Sequence, residues 1–534
     1  MGPCTATSIS RMWRAARFIH VTRPRNLPRW DRDAAPGAAD TLFQVDVWVS
    51  FVRSRLHPVN SNYEASVMDR RALLGGPPNG RKPARDRPGP PTTGRKVSRD
   101  TEANMDLEQR RSTRTLTTGT TVANNGSAAE LGSARIAKRI ARLGSETAFA
   151  VSAEAAAFAA QGNDMYPFHL GDLNLPTPSN IVEASFKAIK DGKTGYCPNA
   201  GIPALRAALA ADVNASHGTT YSAENVAVQP GGKPVIGKFI LALMNPGDEV
   251  LYPNPGYPIY ESQIEFHGGV AVPYGYLEGE RGYVIDLEAL EASITPHTRL
   301  LMLNDLQNPL GAECSPQELQ RLAEIAEEHD LKVLCDEAYF DIRYSGRSAS
   351  LASLAGMAER TVILYTFSKK FAMTGWRLGA AIGPRDIVEV ISKLNVNDES
   401  CPNHFIQYGA LEGLTGDQSG PMNILSVLKE RRDAAVTLLN ESPGIRCYTP
   451  DATFYLFPNV TGAMALKGFT DIEDFRRAVL HNTGVSVCSR VHFGRPLPGE
   501  TEQYVRLAYS GIDTPQLVEG LSRLKAYLSE GPGA

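Results

Sequence analysis

Short apolar segments alternate with amphipathic ones along the chain from about residue 133 onward. Segments of four or five mainly apolar residues predict strands, and those at 331–335 and 362–365 are apolar enough to be buried on both faces of a sheet. Strand–helix alternation over about 200 residues predicts an α/β fold with a mostly parallel sheet. The predicted strands of this sheet are 226–229, 249–252, 300–304, 331–335 and 362–365.

Helix signals lie between these strands. Residues 234–244 are predicted to form a helix, and a second is predicted over 317–329. Ser315 supplies the N-cap of the second helix, Pro316 its first position and Glu318 the acidic residue three places after the cap.

The spacing of the apolar segments changes near the C-terminus. Predicted strands at 452–458, 486–488 and 505–509 lie among helices, which indicates a smaller α+β lobe. The predicted domains are a basic extension over 1–130, the N-terminal part of a small domain over 131–180, a large domain over 181–415 and the C-terminal part of the small domain over 416–534.

The first 130 residues differ from the rest in charge. They hold 21 Lys and Arg against 12 Asp and Glu, whereas the remaining residues hold 34 against 46. Turn-rich passages such as 75–96 bury too little apolar surface to offset the entropy of ordering, so most of the extension is predicted to be disordered.

The start of the extension is rich in arginine and has no acidic residue before Asp31. This pattern is typical of an organellar transit peptide, but a wrongly assigned start, with the protein beginning at Met68 or Met105, is slightly favoured. The protein is therefore predicted to be cytoplasmic, or mitochondrial if the arginine-rich start is a genuine presequence.

Composition excludes several classes of protein. Apolar residues make up 42% and charged residues 21% of the 534 residues, as in ordinary globular chains. The net charge of −3 argues against nucleic acid and membrane surfaces as partners, and no apolar stretch approaches the ~18 residues of a membrane-spanning helix. The seven cysteines include no C-x-x-C pair, so free thiols are expected and no metal site is predicted.

One segment, 366–379, combines residue types that indicate chemistry. Lys369 follows a predicted strand, and a desolvated amine at the edge of a sheet can attack an aldehyde. Thr366, Ser368 and Arg377 could together bind a phosphate dianion. An aldehyde and a phosphate on one molecule indicate pyridoxal 5'-phosphate. For this segment alone, a surface Lys-Lys pair and an ordinary ion pair of Arg377 remain an alternative.

Three further segments support the same cofactor. Asp336 ends a predicted strand, where a carboxylate can keep a pyridine nitrogen protonated, and Tyr339 can donate to the ring phenolate oxygen. Asn308 follows another strand and can reach the same oxygen. Gly231 and Gly232 precede a helix whose amides attract phosphate. All of them lie at strand ends, where open α/β sheets bind their ligands.

With these motifs in this order, residues from about 135 to 530 resemble the class I and II aminotransferases, which are fold-type I pyridoxal-phosphate enzymes. The resemblance implies a large domain with a mostly parallel mixed sheet, a smaller α+β domain and a homodimer with shared active sites. It places the cofactor lysine at Lys369 rather than Lys370, because the spacing to Arg377 is then eight residues. The cofactor-binding residues that it implies are Tyr196, Gly231, Gly232, Lys233, Tyr257, Asn308, Asp336, Tyr339, Thr366, Ser368, Lys369 and Arg377.

The catalytic residues among these are Lys369, Asp336 and Tyr339. Tyr257 is expected to stack on the cofactor ring. Tyr196 is expected to reach the phosphate bound by the other subunit.

The resemblance also implies the substrate-binding residues. Arg506 resembles the arginine that holds the α-carboxylate, a role that suits a planar guanidinium, and Gly171 approaches the same carboxylate through its backbone. Asn308 also borders the substrate. Thr147 and Lys233 match positions that the aspartate and prephenate branch uses for a second carboxylate, although purely structural roles for both are equally open.

The sequence departs from the family pattern in two motifs. Leu310 replaces the Thr of Asn-Pro-Thr-Gly, which is expected to be tolerated. Ser489, Arg490 and Val491 replace a common Pro-Gly-Ser, which weakens the case for narrow aspartate specificity. Arg490 and His492 could bind an acidic side chain or pack the loop, and packing is favoured.

The predicted reaction is ping-pong transamination from an L-amino acid, aspartate-like by preference, to a 2-oxo acid such as 2-oxoglutarate. Alanine, aromatic or other amino donors are alternatives, and so is a lyase on the same fold. A transcription regulator with an aminotransferase-like sensor is disfavoured, since residues 1–130 show no helix-turn-helix pattern.

Overall fold

A computed structural model describes residues 136–144, 147–280 and 282–531. They belong to one structural unit, Gly126–Ala534. The predicted extension 1–130, including its arginine-rich start, lies outside the described residues, and the division of the remainder into a large and a small domain stays a prediction.

Thirteen helices are described, and none of them combines the length and apolarity needed to cross a membrane. They are α1 (Ala148–Ala159), α2 (Ser179–Lys190), α3 (Pro203–His217), α4 (Lys233–Leu243), α5 (Ile259–Phe266), α6 (Leu287–Ala292), α7 (Pro316–Glu328), α8 (Arg385–Asp398), α9 (His404–Thr415), α10 (Ser419–Asn440), α11 (Thr461–Lys467), α12 (Ile472–Thr483) and α13 (Thr514–Ser529).

The described strands form one large and three small sheets. They are β1 (Tyr166–Pro167), β2 (Val226–Gln229), β3 (Glu249–Pro253), β4 (Val270–Tyr274), β5 (Tyr276–Gly279), β6 (Gly282–Ile285), β7 (Thr298–Leu303), β8 (Lys332–Asp336), β9 (Thr361–Thr366), β10 (Gly379–Ile382), β11 (Tyr455–Leu456), β12 (Val485–Ser486), β13 (Cys488–Ser489) and β14 (Val505–Ala508).

The large sheet has seven strands in the order β2-β10-β9-β8-β7-β3-β4. β10 is antiparallel to both neighbours, whereas all other neighbouring pairs are parallel. The predicted α/β fold with a mostly parallel mixed sheet is therefore confirmed. The five predicted strands are present, with ends shifted by no more than two residues.

Helices cover both faces of this sheet because the strands are apolar on both sides. Leu300 and Met302 of β7 pack on the face covered by α4, α5 and α8. Leu301 and Leu303 point to the opposite face and pack against α7. Burial of each such side chain contributes about 1.5–3 kcal/mol, so the alternation along each strand holds the layers together.

The N-terminus of α7 has the predicted capping box. Ser315 Oγ accepts from the Glu318 N–H at 3.2 Å, and Glu318 Oε2 accepts from the Ser315 N–H at 2.8 Å. Because both donors would otherwise lack helical partners, this exchange fixes where the helix begins.

The C-terminal segment forms a second core. Strands β11, β14 and β13 make a three-stranded antiparallel sheet, and β1 pairs in parallel with β12. The predicted strand 452–458 is reduced to Tyr455–Leu456, since Thr453 has a left-handed φ of 67° that interrupts an extended backbone. The predicted strand 486–488 is two strands, β12 and β13.

Candidate active site

A cavity of about 510 Å³ lies where the carboxyl ends of β7, β8 and β9 meet the N-terminus of α4. It is lined by every predicted site residue except Tyr196, Gly231 and Thr147. The predicted residues that line it are Gly171, Gly232, Lys233, Tyr257, Asn308, Asp336, Tyr339, Thr366, Ser368, Lys369, Arg377 and Arg506.

Two parts of this cavity have different origins. The sheet side consists of Gly232, Asp336, Thr366, Lys369 and Arg377, which lie at or just beyond strand ends. The C-terminal side consists of Tyr455, His492, Phe493 and Arg506, which come from the second core and its loops.

Lys369 reaches the cavity three residues after β9. Its Nζ donates to the Gly171 carbonyl oxygen at 2.8 Å and lies 5.3 Å from the centre of the Phe454 ring. Lys370 does not line this cavity, and its Nζ instead pairs with Asp341 at 3.1 Å. Of these two adjacent lysines, it is therefore Lys369 whose amine is in the cavity.

Asp336 ends β8 and is buried, with 7% of its surface exposed. Its Oδ2 accepts from the Tyr260 hydroxyl at 2.6 Å, and its Oδ1 accepts from the Ala338 N–H at 3.2 Å. Burial raises the pKa of Asp336 to about 6, against the opposing effect of these two hydrogen bonds. The carboxylate is thus mainly ionised at neutral pH and suited to a positively charged partner.

Tyr260 is a site residue that the sequence analysis missed. Burial and the neighbouring carboxylate raise its pKa well above the usual value, so its hydroxyl stays protonated and donates. Its ring packs edge-on against that of Tyr257, with centroids 5.8 Å apart. A signal exists in the sequence, since Tyr260 lies three residues after Tyr257 at the start of a helix and so shares its side.

Gly231, Gly232 and Arg377 form a cradle at the start of α4. Gly231 has a left-handed φ of 105°, and a side chain at this position would overlap the Arg377 guanidinium. Thr366 Oγ1 donates to Ser368 Oγ at 3.0 Å next to this cradle. A helix N-terminus, two hydroxyls and a guanidinium make a suitable site for a phosphate dianion.

Arg506 of β14 is buried, with 4% of its surface exposed. Its Nη1 donates to Asn308 Oδ1 at 3.1 Å and its Nη2 to the His169 carbonyl oxygen at 2.5 Å. The guanidinium carbon lies 4.7 Å from the Tyr455 ring centre and 4.6 Å from that of Phe493. Its Nε has no hydrogen-bond partner among the described residues. A buried, unpartnered N–H of a cation is well placed for a carboxylate.

Hydrogen bonds connect the two sides of the cavity. The Asn308 N–H donates to Asn304 Oδ1 at 3.0 Å, and Asn304 Nδ2 donates to the Asp336 carbonyl oxygen at 2.9 Å. Because Asn308 Oδ1 accepts from Arg506, its NH₂ group is the part of the amide left for a ligand. The Tyr339 hydroxyl lies 2.9 Å from that of Tyr455.

The remaining predicted residues lie at the edge of the cavity or beyond it. Lys233 Nζ lies 5.5 Å from the Tyr257 ring centre. Thr147 is exposed, and its hydroxyl donates to the His492 carbonyl oxygen at 3.0 Å. Tyr196 is 88% exposed and does not line the cavity, so its predicted contact with a second subunit stays a prediction.

The loop that departs from the family pattern has two different roles. Arg490 packs it, as expected: its guanidinium pairs with Glu500 at 2.7 Å and donates to Asn254 Oδ1 at 2.8 Å. His492 does line the cavity, which the favoured packing role did not foresee. Leu310 is buried in a small apolar cluster that includes Phe493, and its own side chain does not line the cavity.

Comparisons with known proteins agree with this geometry. The family profile described as aminotransferase class I and II matches residues 163–524. The chain is 32% identical to an asparagine–oxo-acid transaminase of Streptococcus mutans over 74% of its length and 100% of that protein. It is 30% identical to an aspartate aminotransferase of Bacillus subtilis over 74% of its length and 99% of that protein.

Solved structures give the same result. The aspartate aminotransferase of Thermus thermophilus with maleate superposes with a TM-score of 0.67 at 30% identity, over 73% of this chain and 99% of that one. The alanine aminotransferase of Pyrococcus furiosus superposes with a TM-score of 0.68 at 29% identity, over 74% and 99%. The chain therefore belongs to the class I and II aminotransferases, and it is a transaminase of fold-type I.

Proposed function

We propose that this transaminase binds pyridoxal 5'-phosphate and moves the amino group of an acidic L-amino acid, aspartate by preference, to 2-oxoglutarate in a ping-pong reaction. The observation that carries this proposal is the placement of Lys369, Asp336 and Arg506 around one cavity. These residues supply an amine, a buried carboxylate and a carboxylate-binding guanidinium, which are the groups that transamination of an amino acid needs.

The cavity fits the cofactor at each of its polar groups. The cradle of Gly231, Gly232 and Arg377 suits the phosphate, and a Cβ at Gly231 would close it. Asp336 suits the ring nitrogen, and Tyr339 with the NH₂ group of Asn308 suits the ring oxygen. When bound, the cofactor supplies an aldehyde that condenses with amines and a ring that holds the electron pair released at the substrate α-carbon.

Lys369 has two roles in the proposed reaction. Its amine holds the cofactor until an amino acid replaces it, and it then moves a proton away from the substrate α-carbon. The Gly171 carbonyl, 2.8 Å from Nζ, orients the amine towards the cavity. The adjoining rings of Tyr339 and Phe454 exclude water from this side of the amine.

Arg506 orients the substrate. Its guanidinium carbon lies 4.7 Å and 4.6 Å from the ring centres of Tyr455 and Phe493, and its planar fork would bind a carboxylate in a defined orientation, which also orients the α-C–H bond. Gly171 borders the same region, and a side chain there would overlap the Tyr455 hydroxyl. We expect the Gly171 backbone to contact the α-carboxylate.

Two observations support an acidic amino donor: the position of Lys233 in the cavity and the activities of related proteins. A lysine that lines the cavity offers a positive charge for a second carboxylate. Several relatives are aspartate aminotransferases, and one is an asparagine–oxo-acid transaminase. Thr147 would act through the His492 carbonyl to which it donates, rather than by direct contact.

We also propose that the enzyme is a homodimer in which Tyr196 contacts the phosphate bound by the other subunit. The 88% exposure of this tyrosine in the single chain is compatible with the proposal, since it leaves the ring accessible to a second subunit.

A panel of amino donors tests the proposed function. Purified protein loaded with pyridoxal 5'-phosphate is assayed with aspartate, asparagine, alanine and phenylalanine, each with 2-oxoglutarate, and glutamate formation is measured. Aspartate should have the highest kcat/KM. A clear preference for alanine or phenylalanine would overturn the acidic-donor proposal.

Omitting 2-oxoglutarate separates a transaminase cycle from lyase chemistry. Ping-pong transamination should release one equivalent of 2-oxo acid per active site and then stop, because no acceptor regenerates the enzyme. Continued product release without acceptor would mean that the dominant reaction is elimination instead.

A further inference from the structure

His492 presents a polar ring to the cavity, and no role has been assigned to it above. It lies in a short 3₁₀ segment, Arg490–Phe493, and its side chain is only 10% exposed. The next residue, Phe493, lies against the guanidinium of Arg506 at 4.6 Å. His492 is therefore on the C-terminal side of the cavity, where substrate rather than cofactor is expected.

One edge of the His492 ring is held by a relay of hydrogen bonds. Nδ1 lies 2.8 Å from Ser489 Oγ, and the Ser489 hydroxyl donates to Glu473. An ionised carboxylate can only accept, so the Ser489 hydroxyl uses its one proton in the hydrogen bond to Glu473. The proton between Ser489 Oγ and His492 Nδ1 must therefore be carried by Nδ1. The Ser489 N–H also approaches Nδ1 at 3.2 Å, but the Ser489 carbonyl oxygen, 3.3 Å from Nδ1, can only accept, so two of the three contacts require the proton on Nδ1.

Burial and nearby positive charges favour the neutral form of the His492 ring. Burial, Arg476 and Arg506 lower its pKa, which outweighs the opposing effect of Glu473 and the Ser489 backbone. With the proton on Nδ1, Nε2 carries a lone pair, and Nε2 has no hydrogen bond to any described residue. Nε2 is thus an acceptor available to a ligand.

Lys233 supplies the complementary donor in the same cavity. An ammonium donates hydrogen bonds but cannot accept them, whereas a neutral Nε2 accepts but cannot donate. A carboxamide matches this pair, because its oxygen accepts and its NH₂ donates. A carboxylate satisfies Lys233 but places a negative oxygen against the Nε2 lone pair unless His492 takes up a proton.

We propose that Lys233 and His492 together recognise the distal group of the substrate, with Lys233 donating to its oxygen and His492 Nε2 accepting from its N–H. The enzyme then uses asparagine as an amino donor alongside aspartate. This inference rests on the proposed transaminase function and names its substrate class more closely. Protonation of His492 turns Nε2 into a donor, and that change favours aspartate.

The ratio of kcat/KM for asparagine to that for aspartate tests this inference. Groups that act on both amino donors cancel in the ratio, so it reports the distal contact alone. In the unaltered enzyme the ratio should be highest and constant where His492 is neutral. It should fall by about 10-fold on acidification, at a pH below the usual histidine pKa of about 6.5, because protonation replaces the Nε2 lone pair with an N–H and the surroundings of His492 lower its pKa.

Three variants locate the effect. His492→Phe keeps an aromatic ring without the acceptor, and should lower kcat/KM for asparagine by about 10- to 100-fold and make the ratio independent of pH. His492→Gln keeps an acceptor oxygen that does not titrate, and should keep asparagine activity with a flat ratio. Val491→Ala, at an exposed neighbour on the same segment, is the matched control and should behave as the unaltered enzyme.

The outcomes distinguish the inference from the function on which it rests. Transamination of aspartate without use of asparagine, or an unchanged ratio in His492→Phe, overturns the role of His492 and leaves the proposed function standing. A preference for alanine over both acidic-type amino donors overturns the two together. Equal losses with asparagine, aspartate and alanine in His492→Phe would show that the ring only packs the loop.

Discussion

The sheet side and the C-terminal side of the cavity are built differently. On the sheet side, Thr366, Ser368 and Lys369 lie within four residues at the end of one strand. On the C-terminal side, Arg506 contacts Asn308 across 198 positions of sequence and His169 across 337. One side is therefore fixed by local structure and the other by how two distant parts of the chain pack.

This difference has a functional counterpart. In the proposed reaction the sheet side and Arg506 offer the groups that every amino donor would use, whereas His492 and Lys233 would contact the part in which amino donors differ. Substitutions on the sheet side should affect all amino donors alike. Substitutions around His492 should affect some of them more than others.

The largest effect is expected at Lys369. Lys369→Ala removes both the amine that holds the cofactor and the group that moves the proton, and should lower kcat by about 10⁴-fold for every amino donor. Single-turnover release of 2-oxo acid measures it. Lys370→Ala is the matched control and should retain activity, since Lys370 pairs with Asp341 outside the cavity. Similar losses in both variants would contradict the assignment.

Arg506→Lys tests the C-terminal side. A lysine keeps the charge but loses the planar fork, so kcat/KM should fall by about 100-fold for all amino donors, mainly through KM. Steady-state kinetics with aspartate and alanine measure this loss. Arg495→Lys, at a position whose side chain is 80% exposed, is the control. A loss confined to aspartate would mean that Arg506 binds the distal carboxylate instead.

Tyr260→Phe tests the electrostatics of the sheet side. The Tyr260 hydroxyl lowers the pKa of Asp336, which burial raises to about 6, so its removal should raise that pKa further. Since activity needs the ionised carboxylate, the acid limb of kcat/KM should move to higher pH by about one unit. A pH profile from 5 to 9 measures the shift. An unchanged acid limb would mean that a different group sets it.

Asp336 also links this side to stability. The folded pKa of about 6 exceeds the usual 3.8, so the folded protein binds the proton more tightly than the unfolded chain and the ionised carboxylate opposes folding. Cofactor-free Asp336→Asn should therefore be more stable than the unaltered protein at pH 7, by about 1–3 kcal/mol. Urea unfolding should show this advantage growing from pH 4 to pH 6 and levelling off above.

The smallest effect is expected at Thr147. Thr147→Ala removes one exposed hydrogen bond to the His492 carbonyl, so kcat/KM for aspartate should fall by about 2- to 5-fold and that for alanine by less. Initial rates at low substrate concentration are sufficient to measure it. A loss as large as that of Arg506→Lys would show that Thr147 contacts the substrate directly.

Sequence reasoning worked where chemistry follows a strand end. The five sheet strands and the residues just beyond them, among them Asp336 and Lys369, were predictable because apolar runs and motif spacing are local. Tyr455 was missed and packing was favoured for His492, since nothing within a few residues of either indicates which distant segment it meets. Tyr260 was missed although its spacing from Tyr257 was a signal. The irregular backbone around Thr453 could not be predicted either, because the pattern of apolar residues does not report backbone angles.

The Nε of Arg506, which has no partner among the described residues, has a consequence for substrate choice in the proposed reaction. Simple amines and polyamines carry the same reactive nitrogen as amino acids, and the proposed aldehyde chemistry alone would not distinguish them. Binding of such a molecule would leave the Arg506 guanidinium desolvated without a carboxylate to accept its hydrogen bonds. We expect it to bind about 100-fold or more weakly than an amino acid. One buried arginine would therefore restrict the proposed reaction to amines that also carry a carboxylate.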